Sequence, residues 1–185
     1  MRTFIAIDLS PEIKDQLAAL VSSLKSSARN IKWVARENYH LTLKFLGEIR
    51  DNQVKTVKMV IDRVLKKHKQ FFLVMRGTGS FPPGQNRMRV IWSGVAGGEA
   101  LSGLQRDLEE SLEKEGFPRE DRPFSPHLTI GRAKIPENQE RLRKELEKYS
   151  QKEFGSMLVS EIILFQSILR PEGPEYRIIS KHNLR

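Results

Sequence analysis

Two of the four histidines in this 185-residue chain open nearly identical tetrapeptides, His40-Leu41-Thr42-Leu43 and His127-Leu128-Thr129-Ile130. In a shuffled chain with four His and five Thr, His-x-Thr is expected roughly 0.1 times, so two copies carry more information than either alone. If each tetrapeptide is a strand, alternation sends His and Thr to one face and the two aliphatics to the other. Two such strands facing one cleft present two imidazoles and two hydroxyls to one small group. That set suits in-line displacement at the phosphorus of a ribose phosphodiester. A base is needed on the nucleophile, an acid on the leaving oxygen, and donors on the oxygens where negative charge collects. Imidazole titrates near pH 6.5, so one ring can be neutral while its partner is protonated.

Other chemistries fit less well. The chain has no cysteine, which removes disulfide scaffolds, thiolate metal sites and thiol nucleophiles. Two distant histidines without HxH or HExxH leave zinc short of ligands, so no metal and no cofactor are expected. No GxSxG turn supports a serine nucleophile. His68, in Lys66-Lys67-His68-Lys69, reads as part of a solvated basic cluster, and His182 lies in the C-terminal tail.

The elements that must hold these groups follow from periodicity. Strands are expected over 3–8, 31–34, 40–46, 71–75, 88–93, 127–132, 161–169 and 176–181. The last two form a hairpin through Pro171-Glu172-Gly173-Pro174. Ser10-Pro11-Glu12 starts a helix to about Ser27 with Ile13, Leu17, Leu20, Val21 and Leu24 as its buried stripe. Further helices cover 52–68 (Val54, Val57, Ile61 and Leu65 inward), 101–115 and 136–149. This order makes the chain α+β, one domain over 1–185. Two loops, 77–87 and 116–126, mix Pro and Gly with arginine and an aromatic, as suits a basic rim around a site.

The net charge of +9 favours a polyanionic partner, while the same Lys- and Glu-rich, Cys-free composition also suits a protein that works hot. No apolar run is long enough to span a bilayer, and Asp8 interrupts the first one after four residues. A soluble, cytoplasmic monomer without membrane contact is expected.

With these residues in view, the chain resembles the two-histidine (2H) phosphoesterases, and among them the RNA 2′,3′-cyclic phosphodiesterases once named 2′-5′ RNA ligases. The resemblance runs through Arg2-Thr3-Phe4-Ile5-Ala6-Ile7-Asp8, through His40 to Glu48, through Arg122 to Arg132, and through Ile163 to Ser167 followed by Tyr176. It implies a bilobal α+β fold with pseudo-two-fold symmetry: two intertwined lobes whose antiparallel sheets face a central cleft, with helices outside and one HxTx motif per lobe. It also implies His40 as proton donor, His127 as proton acceptor, and Thr42 and Thr129 on the phosphate oxygens. Arg132 resembles a substrate-contacting arginine, but simple alternation puts it opposite His127, so a bulge at Gly131 is needed to turn it inward. Phe81 and Phe124 are candidates for stacking on the terminal base or for core packing. The implied substrate is RNA ending in a 2′,3′-cyclic phosphate, tRNA halves among them, opened to a 2′-phosphomonoester. Three rivals stand beside this: 2′-5′ ligation at the same site, a noncatalytic RNA-end binder, and hydrolysis of a small cyclic nucleotide or cyclic ADP-ribose phosphate.

Overall fold

The computed structural model describes residues 1–185 in the order β1 (Arg2–Asp8), α1 (Pro11–Leu24), β2 (Ile31–Trp33), β3 (His40–Glu48), α2 (Asp51–Leu65), β4 (Phe71–Phe81), β5 (Val90–Ala96), α3 (Gly98–Lys114), β6 (His127–Ala133), α4 (Glu140–Lys148), β7 (Glu153–Val159), β8 (Glu161–Arg170) and β9 (Gly173–Asn183). The strands form two antiparallel sheets on either side of a cleft, one ordered β3-β1-β8-β9 and the other β2-β6-β5-β4-β7. Each sheet carries one of the repeated motifs, on β3 and on β6.

The helices cross over. α1 leaves β1 of the first sheet but packs on β7 of the second, beside α4, which packs on β4. α3 leaves β5 of the second sheet and packs against both β3 of the first and β4 of the second, beside α2. α1 is set by Ser10, whose hydroxyl accepts from the Ile13 amide, and by Pro11 at the first helical position. Its expected stripe, Ile13, Leu17, Leu20, Val21 and Leu24, is buried throughout. So are Val54, Val57, Ile61 and Leu65 of α2.

These faces join Ile5 and Ile7 of β1, Leu41 and Leu43 of β3, and Leu128 and Ile130 of β6 in one continuous apolar core. Truncating a member such as Leu17 to Ala costs about 2–5 kcal/mol. The alternate residues of β1 and β8 make a separate small cluster, Phe4, Ala6, Ile163 and Phe165, with Tyr176 against it, on the other face of the first sheet. That face looks into the cleft. No helix is long and apolar enough to cross a membrane.

Three expectations change. The segment 77–81, read as loop, is the end of β4, and Gly77 (φ +79°) sits at the irregularity where its amide turns to the Lys152 carbonyl. The charged helix begins at Glu140 rather than Pro136. The preceding turn is tied down elsewhere, with the Gln139 amide on Asn86 O and its side chain on the Arg29 backbone, while Asn138 Oδ1 accepts from the Glu140 amide. β7 is a ninth strand that periodicity does not reveal. Phe154 is an extra residue between the Met75 and Arg76 pairs and breaks its alternation, and a Cβ on the neighbouring Gly155 (φ +131°) would meet Ile13 at 2.9 Å.

Candidate active site

β3 opens on His40, which pairs with Asp8 of β1. Leu41 and Leu43 enter the core, leaving His40 and Thr42 partly buried on the cleft face. The His40 Nδ1 lies 2.7 Å from the Asn38 carbonyl. A carbonyl only accepts, so Nδ1 carries the hydrogen and Nε2 is the atom left for proton transfer. Asn38 is fixed in turn, its side-chain Nδ2 donating to Pro174 O at the β8–β9 turn. The imidazole packs on Phe4 (4.8 Å between centroids) and stands perpendicular to Tyr176 (5.1 Å). This burial pushes the His40 pKa below 6.5; the bond to Asn38 and the Asp8 carboxylate oppose the shift, and Lys14 reinforces it. Asp8 is itself paired to the buried Lys14 at 2.7 Å.

β6 repeats the device. His127 Nδ1 lies 2.7 Å from Ser125 O, again two residues upstream, and Leu128 and Ile130 are fully buried while His127 and Thr129 are not. Here the neighbours are Phe81, perpendicular at 5.1 Å, and Trp92 at 6.4 Å. Trp92 pairs with Thr129 and lies flat over β4, where a Cβ on Gly79 would fall 2.3 Å from the indole. Only glycine at 79 leaves room for this floor. Trp92 was not singled out from sequence, although alternation with buried Ile91 and Ser93 sends it to the cleft face.

A second shared device decides where Arg132 goes. Ile91 pairs with Gly131 and Trp92 with Thr129, so Ile130 is an extra residue on β6. Ile5 pairs with Lys44 and Ala6 with Thr42, so Leu43 is the matching extra residue on β3. Each HxTx motif thus ends in a bulge at its fourth residue, one position before the Gly131 expected, and alternation is reset beyond it. Arg132 is turned to the His127 face, and Phe45 to the His40 face, where it stands 6.1 Å from Phe4.

The residue between bulge and cleft points inward in both strands. Gly131 lies under the Trp33 ring, where a Cβ would come within 2.9 Å. Its counterpart Lys44 is almost fully buried, with Nζ 2.5 Å from both Glu109 Oε1 and Pro118 O. Glu109 also accepts from the Glu120 amide, so this ion pair ties β3 and α3 to the loop that leads into β6.

The remaining candidates separate. Phe81 stands beside His127, whereas Phe124 is partly buried against the main core. His68 is not solvated as read from sequence but is held by Asp107 of α3 at 2.8 Å. His182 is buried between Asp62 of α2 (2.6 Å) and Ser180 (2.8 Å), joining β9 to α2 away from the cleft.

Two sheets, each offering a histidine and a threonine from a bulged strand, define a two-histidine phosphoesterase site. The profile described as LigT like Phosphoesterase matches residues 7–92 and 95–176, and the chain belongs to that family. A curated relative from Methanothermobacter thermautotrophicus, named RNA 2′,3′-cyclic phosphodiesterase, is 38% identical over 176 residues, covering 95% of each chain. One of the same name from Methanocaldococcus jannaschii is 36% identical, covering 98% of this chain and 99% of its own. Among solved structures, a protein from Thermus thermophilus superposes with a TM-score of 0.81 at 30% identity, over 100% of this chain and 98% of that one. E. coli LigT complexed with 3′-AMP superposes at 0.77 and 26% identity, covering 99% and 97%.

Proposed function

We propose that this chain is a cytoplasmic RNA 2′,3′-cyclic phosphodiesterase that opens a terminal cyclic phosphate to a 2′-phosphomonoester. It acts as one unit over residues 1–185, a monomer whose two lobes exchange helices. The observation that carries the reading is the matched pair of imidazoles, each with Nδ1 spent on a carbonyl two residues upstream and Nε2 left for chemistry.

In the reaction, water attacks phosphorus in line with the 3′-oxygen. His127 Nε2 takes the water proton as the new P–O bond forms. The P–O3′ bond breaks, and His40 Nε2–H protonates the departing oxygen. Proton exchange with solvent then restores both rings. Thr42 and Thr129 donate to the non-bridging oxygens, and Arg132 adds positive charge at the cleft.

Burial favours the neutral form of His40 in the free protein, the wrong state for an acid. An anionic phosphodiester beside it supplies the charge that raises its pKa on binding. On this assignment His40 is loaded by the substrate it protonates.

Turnover of a nucleoside 2′,3′-cyclic phosphate in EDTA, with the product identified by phosphorus NMR, tests this directly. A 2′-monophosphate is expected. A 3′-monophosphate, or tight binding without turnover, would contradict it. Ligation puts a 5′-hydroxyl in place of the attacking water at the same site, and concentrated water makes it the minor reaction.

A further inference from the structure

A cluster of donors at one end of the cleft, around Tyr176, extends past Arg132 to groups the reaction above does not use. The Tyr176 ring is packed against Phe4, Phe165 and His40, and its hydroxyl makes no hydrogen bond within the protein. Arg2 lies on the same face of β1 as Phe4 by alternation, with Phe4 itself 5.0 Å from the Tyr176 ring. From the opposite sheet comes Arg132, turned inward by the bulge, with Lys32 of β2 directly opposite it in the register and on the same face. Burial raises the Tyr176 pKa, and the charges of Arg132 and Arg2 oppose that shift.

None of these cations is matched by an acid. Glu48, which faces Arg2 across the strands, spends its carboxylate on the Met1 amino group, and Glu175 is held by Arg170 and Arg177. Unpaired positive charge contributed by both sheets, around a hydroxyl without a partner, is the chemistry of an anion site. Its distance from the scissile group is set by Tyr176, whose ring is 5.1 Å from His40.

We infer that Arg2, Lys32 and the Tyr176 hydroxyl, with Arg132 between the two positions, form a second phosphate subsite that takes the phosphate on the 5′ side of the terminal nucleotide. This rests on the reading of the cleft as a cyclic-phosphate site and narrows its substrate class to RNA ends rather than free nucleoside cyclic phosphates.

Calorimetric binding of 2′-AMP and adenosine 2′,5′-bisphosphate tests the subsite without turnover. The intact protein should bind the bisphosphate about tenfold more tightly, since one charge-assisted contact is of that order. In R2Q/K32Q and in Y176F the ratio should fall toward one, while Arg2→Lys should keep most of it. A ratio near one in the intact protein, or a tenfold ratio unchanged in R2Q/K32Q, would overturn the subsite alone. Binding of neither compound would overturn the cleft assignment as well.

A kinetic arm separates the source of the phosphate. A dinucleotide ending in a cyclic phosphate should have a kcat/KM about tenfold above that of the nucleoside cyclic phosphate, the same single charge-assisted contact now being made by the internal linkage. A neutral methylphosphonate at the internal linkage should abolish that advantage, and retention of the advantage would refute the assignment to the chain phosphate.

Discussion

His40 and His127 are held at the same distance by the same kind of carbonyl, and each motif is followed by the same bulge, yet their surroundings have little in common. Phe4, Phe165 and Tyr176 enclose the first imidazole, and a paired Asp8 and Lys14 stand behind it. The second leans on Phe81 and Trp92 at a more open edge. The same backbone device aims both rings, and the neighbours place them in different surroundings. A duplicated scaffold can therefore serve asymmetric chemistry without any change in the motif itself.

The most severe way to break this comparison is to remove a ring. His40→Ala and His127→Ala should each lower kcat on a cyclic phosphate by about 10²–10⁴. If either variant kept near-normal turnover in a single-turnover assay, the paired mechanism would be wrong. Next come the residues behind the bulges, where the strands differ most. Lys44→Met leaves Glu109 charged and buried without its partner, which should cost about 3–5 kcal/mol in urea unfolding, with much of it restored by adding Glu109→Leu. The equivalent change on β6, Gly131→Ala, drives a methyl into Trp33 and should cost about 1–3 kcal/mol. Equal losses in the two strands would mean that the buried ion pair is not what distinguishes them.

Removing one hydroxyl should act on the reaction and not on the fold. Thr42→Val and Thr129→Val should each lower kcat by about 10², as for loss of one donor to a developing oxyanion, with little change in unfolding. The subtlest effect is in pH. Folding favours neutral His40, so this ring's stabilisation is present above its unfolded value near 6.5 and is lost as pH falls through its lower folded value. As the acid, His40 must be protonated. The basic limb of kcat/KM, which reports the free protein, should thus lie below that of kcat, which reports the complex.

Much of this was legible in the sequence because alternation is local. It assigned His40, Thr42, His127 and Thr129 to one face of each strand and their aliphatic neighbours to the core. Arg132 required a bulge, and a bulge at Leu43 or Ile130 changes no residue type, so its presence depends on the register with a distant strand. Simple alternation puts Lys44 on the face of His40 and Thr42; the bulge at Leu43 turns it inward to Glu109, 65 positions away in sequence. The end of β4 reads as loop because Gly77 and Gly79 weaken a strand pattern. Gly79 is nevertheless required there, under an indole that only the folded sheet brings across.

The proposed chemistry turns on one phosphate sitting between both imidazoles and raising the proton affinity of His40. Titrating ring-labelled histidines by NMR with and without 2′-AMP measures this directly. The resonances of His40 and His127 should both move on binding, the His40 pKa should rise, and His68 and His182 should stay where they were. A ligand that shifted only one of the two cleft histidines, or left the His40 titration unchanged, would contradict it.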